Sequence, residues 1–324
     1  MKKYFNLLIT LLCIGIVACS GDDEKTSNGD DNGPDKKIVT PNHGADNLTD
    51  MAVTGSCLNC SAAQAEIRGY TNLTVVSAKG IEYSTDESLK KPQIWASTDF
   101  DAGSNRQFTV IIHNLKPGTT YYYRTFAKLG DTTYHGGETL HFTTKAMIIG
   151  NAVDLGLPSG LKWASCNIGA ISSEEYGCYY RCGETEPSTF EEYHAEPNST
   201  DVANVKWGNK WHLPTRDDFE ELVNICQYEW TTINGVQGYT FSNNGNSIFL
   251  PAAGMLSSEM GQYLWEETYG CYLTSTIYSS SHWVSSAEFF RFFHSNSESP
   301  FGFEYRYNQL SSNYNGYPVR PVTE

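Results

Sequence analysis

No run of about 20 apolar residues, the length a helix needs to cross a bilayer, occurs anywhere in the 324 residues. Basic side chains are scarce as well: 22 Lys and Arg stand against 37 Asp and Glu, for a net charge of −15. Nucleic acid is recognised through basic patches, so that class of partner is excluded. There is no Gly-x-Ser-x-Gly nucleophile elbow. His194, His212, His282 and His294 are scattered, without the His-x-x-x-His spacing of a zinc site. No catalytic set, cofactor or metal is therefore expected. What the chain does have is rings and turns. Its 21 Tyr, 15 Phe and 7 Trp beside 28 Gly point to a mainly β fold with a lesser α+β part rather than to a helical bundle.

Lys2 and Lys3 precede a short apolar run, Leu7 through Val17, broken only by Thr10. That run has the length of a signal-peptide core and is too short for a membrane span. It ends in Ile16-Val17-Ala18-Cys19, which resembles the lipobox of bacterial lipoproteins. The resemblance implies cleavage after residue 18 and lipid on the Cys19 thiol, with the membrane as a partner through that lipid. Losing residues 1–18 takes Lys2 and Lys3 away and lowers the formal charge from −15 to −17. Ser20-Gly21-Asp22-Asp23-Glu24 is similar to the acidic signal that sends lipoproteins of Bacteroides-like bacteria to the outer face of the outer membrane. Residues 20–37 are rich in Asp, Asn, Gly, Ser and Lys. With so little to bury, residues 19–37 are expected to form a lipidated, acidic tether.

Residues 38–146 carry strand signals. Ala63 through Gly69 alternates small or apolar with polar residues, and Phe108 through Ile112 is rich in β-formers. Pro117-Gly118 marks a turn, after which Tyr121, Tyr123, Thr125 and Ala127 share one face of a strand. Thr139 through Thr144 supplies a last strand. The Leu115-x-Pro117-x-Thr119-x-Tyr121 segment and the length of about 100 residues resemble a fibronectin type III domain. This implies an immunoglobulin-like β-sandwich in which Tyr121 is the corner tyrosine, its hydroxyl bonded to backbone. Such sandwiches serve most often as spacers.

Residues 147–324 are less regular, with one clear helix from Arg216 to about Gln227. Thr215 is its N-cap, Asp218 completes a box-like arrangement, and Phe219, Leu222, Val223 and Cys226 form one buried stripe. Asp217, Asp218 and Glu220 suit the dipole of the first turn. The segments Leu155–Ala164, Asn167–Ala170, Tyr176–Thr185, Gly245–Gly254 and Tyr317–Val322 together resemble the Fibrobacter succinogenes major paralogous domain. Trp211 through Glu220 is similar to the helix-entry motif of the formylglycine-generating-enzyme fold, a relative of C-type lectin domains. The resemblance implies a loop-rich lectin-like module with few helices. Cys182 and Leu273-Thr274-Ser275 stand where that family has Trp-containing motifs. The reactive cysteine pair of formylglycine-generating enzymes has no counterpart near Tyr317–Val322.

Beyond Cys13 and Cys19 seven cysteines remain: Cys57, Cys60, Cys166, Cys178, Cys182, Cys226 and Cys271. The odd number leaves at least one unpaired, and spacing alone does not fix any pairing. Cys57-x-x-Cys60 has redox or zinc spacing, but neither a βαβ pattern nor a second ligand pair accompanies it. A local disulfide or two half-buried thiols is the expectation.

Trp265, Tyr269 and Trp283 are the candidate ligand-stacking residues. Glu196-Pro197-Asn198 looks like a lectin calcium-and-sugar tripeptide, so Glu196 and Asn198 are the alternative metal ligands; the partner Trp-Asn-Asp motif is missing. The expected function is non-enzymatic: a surface-displayed, lipid-anchored protein that binds a glycan or a protein. The rival readings are a structural or accessory subunit of a surface assembly and a cryptic enzyme on a formylglycine-generating-enzyme-like fold.

Overall fold

The computed structural model of the protein describes residues 51–97, 106–189, 200–208, 210–257, 260, 262–280, 283–295, 299–304 and 315–324. Strand outweighs helix, 49% to 7%, which settles the class as mainly β. The signal segment, Cys19, the tether, Glu196 and Asn198 lie outside the described residues. No helix among the described residues is long and apolar enough to cross a membrane.

Eight strands occupy the first part: β1 (Ala52–Cys60), β2 (Ala65–Thr71), β3 (Ala78–Ser84), β4 (Gln93–Ala96), β5 (Gln107–Ile112), β6 (Thr120–Leu129), β7 (Thr132–His135) and β8 (Leu140–Thr143). They make two antiparallel sheets, β1-β2-β5 and β4-β3-β6-β7, with β8 also pairing β6. Alternation decides which side chains go inward. On β5 these are Phe108, Val110 and Ile112, on β2 Ala65 and Ile67, and on β6 Tyr121 and Tyr123. With Ile81, Tyr83 and Phe142 they form one core between the sheets. The Tyr121 hydroxyl accepts a hydrogen bond from the Lys116 backbone N–H at 2.9 Å, so the buried ring keeps its polar end satisfied.

The second part runs β9 (Ala152–Asp154), β10 (Lys162–Ala164), β11 (Tyr179–Tyr180), α1 (Val202–Trp207), α2 (Arg216–Ile225), β12 (Gln227–Ile233), β13 (Val236–Asn243), β14 (Asn246–Pro251), β15 (Met255–Ser257), β16 (Gln262–Leu264), β17 (Tyr269–Ser280), β18 (Trp283–Phe293), β19 (Phe301–Glu304), β20 (Tyr317–Pro318) and β21 (Val322–Thr323). These strands form five small sheets: β9-β10-β21, β11-β20, β12-β13-β14, β15-β16 and β17-β18-β19. Its two ends meet, because β10 pairs with β21 through Lys162 opposite Thr323. Helix α2 starts as its sequence predicts. Thr215 Oγ1 accepts from Asp218 N–H, and Asp218 Oδ2 accepts from Thr215 N–H at 2.7 Å. Phe219 then stacks on Phe290 at 4.3 Å. The hairpins of β12-β13-β14 turn on Asn234-Gly235 and Asn244-Gly245, all four residues at positive φ. That is the turn whose twist matches paired strands.

Arg320, between Pro318 and Pro321, is completely buried. Its guanidinium donates to Asn167 Oδ1 at 2.8 Å, Ala164 O at 3.0 Å and Phe249 O at 2.8 Å. Carbonyl dipoles, rather than a carboxylate, receive its charge, and they tie β10, β14 and the C-terminal strands into one knot.

Candidate ligand groove at the seam

Asn47–Glu324 forms one compact unit, and the loop after β5 shows how its two parts join. Asn114 takes φ +58°, a left-handed conformation that asparagine tolerates. Its side chain then works as an extra peptide group. Nδ2 donates to Ser188 O at 2.6 Å, while Oδ1 accepts from Tyr179 N–H at 2.9 Å. Beside it the Cys178 thiol meets Leu115 O at 3.6 Å. Ala63 of the first part lies within a core cluster otherwise drawn from the second.

Rings fill the space around these bonds. His113 stacks on Tyr176 at 5.1 Å, and Tyr263 lies 5.3 Å from Trp95 and 5.1 Å from Tyr179. The Tyr179 hydroxyl donates to Ala253 O at 2.6 Å. Into this cluster of rings the turn after β16 brings Glu266, whose Oε1 is 4.0 Å from His113 Nε2. Neither His113 Nδ1 nor Glu266 Oε1 has a hydrogen-bond partner. Burial pushes His113 down to about 4, and burial followed by the Glu267 charge pushes Glu266 up to about 7. Between those values the pair meets as a neutral imidazole and a neutral carboxyl, because loss of water penalises both charged forms more than a 4.0 Å contact rewards them.

Two hollows open along the seam. One, of about 260 Å³, has Tyr83, Lys91 and Tyr121 on one wall and Ser188, Thr189 and Tyr263 on the other. The second, of about 400 Å³, lies between Pro117–Thr119 and Tyr180, Glu186 and Lys206. Lys116 and Pro187 border both. The hollows are therefore neighbours along the seam, taken together as one groove. An ion network marks the divide: Lys206 Nζ is 2.9 Å from Glu186 Oε1, and Lys116 Nζ is 3.7 Å from its other oxygen. The Lys206 hydrogen bond, with both ammonium charges, holds Glu186 below its usual range.

The residues singled out from sequence fall elsewhere. Trp265 and Tyr269 are brought together, ring centres 5.4 Å apart, yet both are only partly exposed and pack on the main core of the second part. The Arg291 guanidinium covers Tyr269 at 5.8 Å. Trp283 opens β18, and its side chain lies outside the described residues. Among the described residues no three His, Cys, Asp or Glu gather as a metal site, and Cys57, Cys60, Cys166, Cys178 and Cys226 are free thiols. Asn114 and Ser188 had no signal of their own, since they are ordinary loop types far apart in the chain.

No family model matches the chain, and no curated protein matches it. Among solved structures, a short form of the sensor domain of the anti-sigma factor RsgI4 in Pseudobacteroides cellulosolvens is 17% identical over 29% of this chain and 93% of that one, with a TM-score of 0.23. A solution structure of the same sensor domain gives 17% identity over 29% of this chain and 74% of its own, at a TM-score of 0.22. At such scores the likeness bears on neither fold nor function.

Proposed function

We propose that the protein is a lipid-anchored binding protein displayed on the outer membrane, without catalytic activity, and that the seam groove receives its ligand. The groove carries this reading. It is lined by residues of both parts. The half-buried ring of Tyr263 lies beside the exposed Thr85, Lys91, Gln93, Lys116 and Thr189, a mixture of ring and polar groups that suits a saccharide. Lys91 and Lys116 at its rim add positive charge to a chain that is otherwise strongly acidic.

In this reading the first part is a fibronectin type III-like sandwich. Two sheets sharing one core and the Tyr121 hydroxyl bonded to backbone support it. The second part is a module of the Fibrobacter succinogenes major paralogous type with a lectin-like fold. The capped helix and the many small sheets support that assignment. Cys19 supplies the anchor.

A glycan array probed with the detergent-solubilised full chain tests the function. Retention of a glycan that Tyr263→Ala and Lys116→Glu both weaken is the expected result. A glycan held equally by wild type and both variants would remove the groove from the account, and no retained glycan would remove the saccharide.

A further inference from the structure

Strand β1 is irregular at one place. Its pairing with β2 slips between Thr54 and Cys57 and again between Cys57 and Asn59. In a flat strand residues 57 and 60 would point to opposite faces. The bulges bring both to the same side, where each packs half-buried against the core between the two sheets. The two thiols are close enough to perturb one another's ionisation. Cys57 Sγ also lies 3.3 Å from Asn59 O, and Cys60 Sγ lies 3.5 Å from Thr143 O. The other five described cysteines are buried. This pair alone among the described thiols combines access to solvent with a sulfur neighbour.

We propose that Cys57 and Cys60 form a thiol–disulfide exchange centre that reacts with small disulfides, such as oxidised glutathione, and closes on itself. Cys60 is the entering nucleophile. Lys145, whose backbone N–H bonds Ser61 O at 2.9 Å beside Cys60, and the Cys57 thiol favour its thiolate against burial. Cys57 keeps its proton through its neighbour Cys60 and burial, with Glu66 adding to the effect. The Cys60 thiolate attacks one sulfur of the disulfide, forming a mixed disulfide and releasing one thiolate. Cys57 then loses its proton to that thiolate and attacks Cys60 Sγ, releasing the second half as a thiolate, which takes up from water the proton that Cys60 had given up. The protein loses two electrons and two protons, and one disulfide becomes two thiols. Closure pins the double bulge at the edge of the β1-β2-β5 sheet.

Cleavage after Lys37 and Arg68 releases both residues on one peptide that holds no other cysteine. The full chain in detergent, incubated with oxidised glutathione, alkylated and digested, should yield this peptide two hydrogens lighter and unalkylated. The buried thiols should take up alkylator only after denaturation, which reports that the fold is intact. Cys57→Ser should trap one glutathione on Cys60. Cys60→Ser should take glutathione on Cys57 more slowly at pH 7, because the Lys145 charge favours the thiolate of Cys60 while Glu66 opposes that of Cys57. Separate glutathione adducts on both cysteines of the wild type, or two unreacted thiols, would overturn the proposal. Equal rates in the two variants would overturn it as well.

Discussion

Replacing Glu266 by Gln should make the protein more stable at alkaline pH and leave it unchanged in acid. The carboxyl sits against His113 among the seam rings with one oxygen unpartnered, and burial raises its pKa from 4.5 to about 7. The folded protein therefore holds this proton more tightly than the unfolded chain. Stability is fully present below pH 4.5 and is lost as pH climbs to about 7, because the native state binds the extra proton throughout that window. A rise of this size is worth at most about 3 kcal/mol. The side chain is 27% exposed, so solvent screening lowers the expected cost to about 1–2 kcal/mol. Glutamine keeps the shape of the neutral carboxyl and never ionises. Urea unfolding of the full chain at pH 4.5 and pH 8 should give matching midpoints for wild type and Glu266→Gln in acid. At pH 8 the variant should be ahead by that margin. A variant less stable than wild type at pH 8 would mean that Glu266 and His113 form a stabilising ion pair, and would refute the reasoning.

Three further outcomes follow from single contacts. Asn114→Gly should lose about 1–3 kcal/mol in urea unfolding, because Tyr179 N–H and Ser188 C=O are left unpaired; Asn114→Ala should lose about 1 kcal/mol more from the positive φ. Thr215→Ala should cost about 1 kcal/mol by unmaking the cap of α2, whereas Thr215→Ser should stay near wild type by the same measurement. Arg320→Met should cost about 3–5 kcal/mol, since it strands the carbonyls of Ala164 and Phe249 in the core; a melting temperature unchanged from wild type would show that those carbonyls find other partners.

Legibility in the sequence tracked how local each signal was. Helix α2 was readable because its cap, its box and its stripe lie within about three turns. Strand β2 was readable from period-two alternation, β6 from alternation after the Pro117-Gly118 turn, and β5 from its run of β-formers. Strands β1 and β3 lacked clean alternation, and β4 and β7 were too short to show any. Asn234-Gly235 and Asn244-Gly245 carry the hairpin signal that joins β12, β13 and β14. Other features depend on tertiary context. Arg320 has the composition of a surface residue, and only the folded chain surrounds it with carbonyls. Trp265 and Tyr269 are the ring types that stack on ligands, but most of their area is spent on the core. The shared side of Cys57 and Cys60 depends on bulges that no spacing rule encodes. The seam itself joins residues as far apart as Trp95 and Tyr263, each unremarkable alone.

The groove exists only if both parts behave as one body, and scanning calorimetry of the full chain reads that directly. The account predicts one cooperative transition for wild type, moved to lower temperature as a whole by Asn114→Gly. Two resolved transitions in the wild type, with Asn114→Gly leaving both where they are, would contradict it.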